Sequence, residues 1–258
     1  MFNQRRMTIS KQLPKFFLFL AVVFAAVVFI FSMNGQFGNV LVQPLVLYPT
    51  LLSPIPFSFY IFALLLVGML GLSLFQFFPK QRTNKRLAKS RFHLSASMLL
   101  FGLWVMAWCY DLLFASAISA MLLVAMLARA AMNLELRAAA KPSEIWLLRA
   151  PTMLFFGWAT FLTVVNWATL FQSLKWKLKW LSPDTWAIVL ILMLALLSLW
   201  ICFRYLDLFF IVAVVWGFVG IALKKGMSVS VSRTVWLSIF VMALIVLIKT
   251  PRKLLEEI

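Results

Sequence analysis

Acidic side chains are scarce: seven Asp and Glu stand against 24 Lys and Arg, and histidine occurs once. The acids (Asp111, Glu135, Glu144, Asp184, Asp207, Glu256 and Glu257) are scattered over loops and ends. None forms a paired-carboxylate or metal-ligating constellation within one element. The single histidine, His93, sits beside Arg91 at the edge of an apolar run, where a lone imidazole is solvated. The two cysteines, Cys109 and Cys202, show neither CxxC nor metal spacing. They are expected near opposite membrane faces, beyond the about 7 Å that a disulfide bridges, and so unpaired. There is no phosphate-binding glycine loop and no nucleophile elbow. Together these absences argue against an enzyme. Charge is also missing from the middle of every apolar run. Such a charge costs about 2.5–3.5 kcal/mol and marks ion or proton transport, so its absence argues against a proton-coupled carrier. No internal repeat is visible, which argues against an inverted-repeat transporter.

What is abundant is apolar: 64% of the 258 residues are hydrophobic. That excess places the chain in a membrane. The apolar runs are continuous rather than alternating, which selects helices over a transmembrane barrel. The expected fold is an all-α, polytopic helical bundle of about eight spans. They run over 16–33, 57–78, 93–110, 112–133, 149–173, 185–203, 208–223 and 233–248, the last two being short. Residues 1–15 form a basic tail with Arg5, Arg6, Lys11 and Lys15, followed by a retained first helix rather than a cleaved signal. Residues 34–56 form an uncharged loop in which Pro44, Pro49, Pro54 and Pro56 break regular structure. Its Leu, Val and Phe content suits a lid packed on the bundle. The run from Pro79 to Phe92 carries Lys80, Arg82, Lys85, Arg86, Lys89 and Arg91 and is the strongest cytoplasmic signal. The stretch from Glu135 to Leu148, with Arg137 and Lys141, reads as a second cytoplasmic connection. With both termini cytoplasmic, only six of the 24 basic residues fall outside: Lys175, Lys177, Lys179, Lys224, Lys225 and Arg233. In a soluble protein a net charge of +17 would suggest nucleic acid; here it suggests topology and anionic lipid headgroups.

The stretch from Arg149 to Ser173 is the most informative. Thr160, Thr163, Asn166, Thr169 and Ser173 recur at steps of three or four and trace a polar stripe along a helix. Trp158 lies two turns before Asn166, near the same face. The stripe either glues two helices together or walls a ligand pocket. Tryptophan is unusually frequent, with 11 residues. Trp146, Trp176, Trp180 and Trp186 suit the headgroup belt, and the string Lys175 to Trp180 reads as an interfacial anchor. Trp104 and Trp108 are one turn apart on the third span with Phe101 on the same side, and Trp158, Trp200 and Trp216 lie within spans. Such rings pack a core, or stack on a flat hydrophobic ligand.

The stretches Leu99 to Trp108 and Gly157 to Leu170, with the proline-studded loop before them, resemble the tryptophan-rich sensory protein family. That family includes the translocator protein, or peripheral benzodiazepine receptor. The resemblance covers about residues 16–173; residues 174–258 look like the extension of longer bacterial members. It implies a five-helix bundle, often dimeric, in a bacterial inner membrane, with a pocket for a porphyrin, a haem-like tetrapyrrole or a sterol-like lipid. Trp104 falls on the family's third-helix Trp, and Trp158 and Asn166 fall on its fifth-helix Trp and Asn. Phe101 stands where the family usually has Asn, Val105-Met106 replaces its Ser-Pro, and Tyr60 stands near its second-helix Trp. These exchanges imply a drier pocket.

The expected function is a sensory or ligand-binding membrane protein. Its ligand site comprises Trp104, Trp108, Trp158, Asn166, Phe101, Tyr60 and Thr163, and its partners are lipids and a hydrophobic small molecule. The alternative is a small transporter or channel component, with a water path along Thr163, Asn166 and Thr169.

Overall fold

A computed structural model describes residues 2–81, 83–134, 142–176, 181–205 and 207–256, and of these the side chains from residue 12 to 248. The expectations placed on Arg5, Arg6, Lys11, Arg82, Glu135, Arg137, Lys141 and Lys177 to Trp180 lie outside them. All regular structure among the described residues is helical. The order is α1 (Phe2–Met33), α2 (Gln43–Leu47), α3 (Ile61–Phe75), α4 (Lys85–Cys109) and α5 (Leu113–Asn133), then α6 (Pro142–Ser173), α7 (Pro183–Tyr205), α8 (Phe209–Ala222) and α9 (Val229–Glu256).

Seven of these helices are long and apolar enough to cross a membrane. The chain is therefore an integral, multi-pass membrane protein. The expected eight differ from this at α8, which has 14 residues. At 1.5 Å per residue it spans about 21 Å, short of the roughly 30 Å hydrocarbon core.

Local chemistry explains most boundaries. Asn84 caps α4, its side-chain oxygen accepting from the Leu87 amide at 3.1 Å. The α4–α5 hairpin turns at Asp111, whose φ of 60° is a left-handed conformation that Asp tolerates. Two prolines in the 34–56 loop start short helices instead of breaking them. Pro44 opens α2, and Pro56 opens a 3-10 turn over Pro56–Tyr60. Proline suits a first turn, where its missing N–H has no partner to lose. Helix α6 begins earlier than the sequence reading placed it and carries a π-turn at Ile145–Arg149. Pro151 accounts for the turn, since it cannot donate to the carbonyl of Leu147 and its ring crowds that group.

Helices α1, α4, α5, α6 and α3 pack in that cyclic order, each on the next, to form a closed five-helix ring. Helices α7, α8 and α9 pack on one another, and α8 lies along the outside of α6. Helix α6 is thus walled on both sides, which is why its buried residues run almost continuously from Ala150 to Leu162. Glycines allow the α6–α8 approach. A Cβ on Gly157 would stand 2.4 Å from the Phe210 carbonyl oxygen, and one on Gly217 would stand 2.6 Å from the Phe161 ring. Phe156 meets Phe210 edge-on, with centroids 4.9 Å apart.

At the end of the bundle that carries the basic 79–92 stretch, a buried ion pair ties the two groups of helices together. Arg149 Nε donates to Asp207 Oδ2 at 2.5 Å, with side chains 10% and 0% exposed. Asp207 Oδ1 accepts from the amides of Phe209 and Phe210, so it also caps α8. Cys109 and Cys202 are both buried, and no disulfide joins them.

Replacing Gly157 by Ala should lower stability by about 1–3 kcal/mol, because backbone cannot yield to the new methyl. A Cβ at Gly71 meets only Leu147 Cδ2 at 3.7 Å, so Gly71→Ala should be neutral or stabilising. Thermal unfolding of the two variants in detergent checks the contrast.

Candidate functional site

Two aromatic ladders face each other inside the five-helix ring. On α4, Phe101, Trp104 and Trp108 recur at steps of three and four and stack along one face. Their centroids are 5.9 Å apart from Phe101 to Trp104 and 6.0 Å from Trp104 to Trp108. On α6, Phe155, Trp158 and Phe161 form the second ladder, with Trp158 stacked on Phe161 at 5.2 Å. Phe62 of α3 is the wedge between them. Its ring lies 5.0 Å from Phe101, 5.8 Å from Trp104 and, edge-on, 5.9 Å from Trp158. Phe59, in the preceding 3-10 turn, meets Trp158 edge-on from the loop side.

The three tryptophans are all but inaccessible: 2% exposed for Trp104, 1% for Trp108 and 0% for Trp158. Their indole N–H groups fare differently. Trp108 Nε1 donates to the Leu41 carbonyl of the 34–56 loop at 2.8 Å. Trp104 Nε1 and Trp158 Nε1 are buried and have no acceptor. Beside Trp104 lies a small apolar void of about 10 Å³, bounded by Phe62, Phe101, Ala120, Phe155 and Leu162 among others.

Sequence reasoning named Phe101, Trp104, Trp108 and Trp158, and the structure gathers these four into one cluster, Trp158 joining the α4 rings through Phe62. The other three stand apart. Tyr60 is 61% exposed, its ring against Phe57 and away from the ladders. Asn166 is buried but turned to α5, where Nδ2 donates to Ser116 Oγ at 3.1 Å. Thr163 is half-buried and donates to its own helix at Ala159, as Thr160 and Thr169 do to Phe156 and Val165. The polar stripe is therefore engaged within α6 and across to α5, and the side chains proposed for a water path are all hydrogen-bonded. Of the remaining in-span tryptophans, Trp200 is 58% exposed at the bundle surface and Trp216 donates to the Ser58 carbonyl at 3.0 Å.

Sequence reasoning missed Phe59, Phe62, Phe155 and Phe161. Spacing offered a signal for the last two, which lie three residues either side of Trp158.

The 34–60 segment closes the bundle end above the rings. Its own Leu41, Leu45 and Leu52 are buried. The Asn39 amide donates to the Cys109 carbonyl, and the Ile55 amide to the Gly220 carbonyl. Tyr48 OH donates to Asp111 Oδ2 at 2.8 Å, and Lys224 Nζ donates to the Thr50 carbonyl at 2.7 Å. Burial lowers the Lys224 ammonium below its ordinary pKa. The hydrogen bond to Asp111, helped by its charge, raises the Tyr48 phenol above its ordinary range.

The profile of the TSPO-like protein family matches residues 13–249. The chain belongs to the TSPO-like protein family. The match runs through α7, α8 and α9, so the last three helices, outside the resemblance at 16–173, belong to the family pattern. No curated protein and no solved structure matches the chain.

The Tyr48–Asp111 contact should be pH-dependent with a definite sign. Because folding raises the phenol pKa, its contribution is complete below the unfolded value near 10 and is lost as pH rises through the folded one. Asp111→Ala should bring the Tyr48 titration down toward that value, as followed by ultraviolet absorbance against a Tyr48→Phe control. Hydrogen exchange of the 43–60 segment should rise at neutral pH in the same variant.

Proposed function

We propose that this TSPO-like protein is a receptor-like, non-catalytic binding protein of a bacterial inner membrane. Its ligand is flat and hydrophobic, of porphyrin, haem-like or sterol-like character, and is held between the α4 and α6 ladders. One observation carries the reading: Trp104 and Trp158 each bury an indole N–H with no acceptor, inside the aromatic cluster. A buried donor left unpaired costs about 1–3 kcal/mol, and native interiors rarely retain one without a use. Stacked rings with two unspent donors suit a planar ligand that carries carbonyl or carboxylate oxygens. The family match and the resemblance at Trp104 and Trp158 support the same assignment.

The void beside Trp104, about 10 Å³, is far below the roughly 300–1,000 Å³ of typical ligand pockets, so a tetrapyrrole has to displace rings to enter. Phe62 is the natural candidate, since its ring packs against both ladders and it sits one residue into α3 after the loop. Displacing it would couple occupancy of the rings to the position of the 34–60 segment, which suits sensing.

The test is quenching of tryptophan fluorescence by protoporphyrin IX. Trp104→Phe and Trp158→Phe keep an aromatic face and delete the donor, and each should weaken binding about five- to tenfold. Asn166→Ala, which loosens the α5–α6 contact outside the ladders, should leave affinity within about twofold. Unchanged affinity in both tryptophan variants would refute the assignment.

A further inference from the structure

The ladders also point to a smaller ligand than a tetrapyrrole. The void beside Trp104 measures about 10 Å³, so any occupant has to take the place of a side chain. Phe62 packs on both ladders, its centroid 5.8 Å from that of Trp104 and 5.9 Å from that of Trp158. A six-membered ring standing where Phe62 stands would lie beside both indoles that lack an acceptor.

The chemistry of the cluster limits what that ring can carry. An indole N–H donates and cannot accept. Trp104 Nε1 and Trp158 Nε1 are two such donors, both buried and both unspent. All eight residues that bound the void are Phe, Trp, Ala or Leu, so they offer a ligand no side-chain acceptor and no charge. Further along α6, Thr160 and Thr163 are bonded to their own helix and Asn166 to Ser116. A hydroxyl hydrogen brought in here would be buried without a partner, and a carboxylate without a cation, and both are costly. The ligand that meets these terms is flat and uncharged, accepts at two oxygens and donates at none. A six-membered ring with two opposed carbonyls is such a ligand. Its reduced form, with a hydroxyl in place of each carbonyl, is not.

We infer that, with Phe62 withdrawn, the space between the ladders binds the head group of a para-quinone in its oxidised form and discriminates against the quinol. The inference rests on the reading of the ladders as a ligand site, and adds a ligand that displaces one ring rather than several. Trp104 and Trp158 each donate to one carbonyl, and the ladder phenylalanines pack around the ring. Phe62 is the second residue of α3 and follows directly on the 3-10 turn at Pro56–Tyr60. Its withdrawal therefore moves the 34–60 segment. Quinone shifts that segment and quinol leaves it in place, so the protein reports the oxidation state of a membrane quinone without exchanging electrons with it.

The test uses the full chain in detergent, under nitrogen, with duroquinone, durohydroquinone and durene. The three share one tetramethyl ring and differ in bearing carbonyls, hydroxyls or hydrogens at the two opposed positions. Binding is read by equilibrium dialysis, each ligand being referred to its uptake by protein-free micelles. Duroquinone should bind about tenfold tighter than durohydroquinone and about fivefold tighter than durene. Trp104→Phe and Trp158→Phe should each weaken duroquinone about five- to tenfold and leave durene within about twofold. Phe62→Ala, which supplies the space outright, should strengthen duroquinone about tenfold and keep its lead over durohydroquinone. In the unaltered chain, equal binding of quinone and quinol, durene bound as tightly as duroquinone, or no duroquinone binding would each overturn the inference. Tryptophan-dependent binding of protoporphyrin IX beside any of these results would leave the ladder site standing and remove only the quinone. Binding of both ligands that ignores both tryptophan variants would remove the ladder site as well.

Discussion

The contact between α6 and α8 is the constraint on which the rest of the molecule depends. In lipid there is no hydrophobic gain from pressing one apolar helix on another, so close approach and van der Waals contact have to hold them. Gly157 and Gly217 supply that approach, one against the Phe210 carbonyl and the other against the Phe161 ring. With α8 seated there, α6 is enclosed and its ladder of Phe155, Trp158 and Phe161 is held rigidly toward α4. Were α8 absent, the face of α6 that carries Gly157 would meet lipid tails. The same contact explains how a helix too short to span a bilayer is tolerated. Asp207 caps it at one end, and the 3-10 turn at Pro56–Tyr60 covers it at the other.

A second constraint is that polar groups inside the bundle have to find partners within the protein. Nearly all do so at short range. Thr152, Thr160, Thr163 and Thr169 return their hydroxyls to their own helix, and Asn166 pairs with Ser116. Against that background the two unpaired indoles stand out, since every neighbouring donor has been dealt with. The contrast with Trp108 is informative, because it shows that the fold does place a carbonyl opposite an indole where closure of the loop requires it.

The membrane class, the helical bundle and the α4 ladder were legible from composition and spacing alone. Continuous apolar runs, basic gaps and rings three to four residues apart are enough for those. The partner of the α4 ladder was only half legible. Trp158 drew attention because it is a tryptophan near a polar stripe, yet its neighbours on α6 are phenylalanines in an apolar background. Phe62 was invisible for a physical reason: α3 is apolar all round, and such a helix has no period from which to read an inward face. Asn166 was misdirected toward a pocket because spacing along a helix does not fix which neighbour that helix presents. Its turn toward Ser116 depends on how α5 packs, which is a tertiary fact. The length of α8 was set by Asp207, whose capping role appears only once the α7–α8 turn is folded.

The 34–60 segment makes one machine of the two groups of helices. It takes the Trp108 indole and the Asp111 carboxylate from the ring, and the Trp216 indole and the Lys224 ammonium from the outer helices. Gly220 approaches Ser58 so closely that a Cβ there would stand 2.0 Å from its hydroxyl. Movement of this segment therefore cannot stay local. Lifting it to admit anything between the ladders would strip acceptors from two tryptophans on different layers and uncover the end of α8. The outer three helices are joined to the ring through that shared cover, without touching the ladders' inner faces. This gives a physical reason for a family pattern that runs unbroken from residue 13 to residue 249: the ring alone would lack half of what holds its cover down.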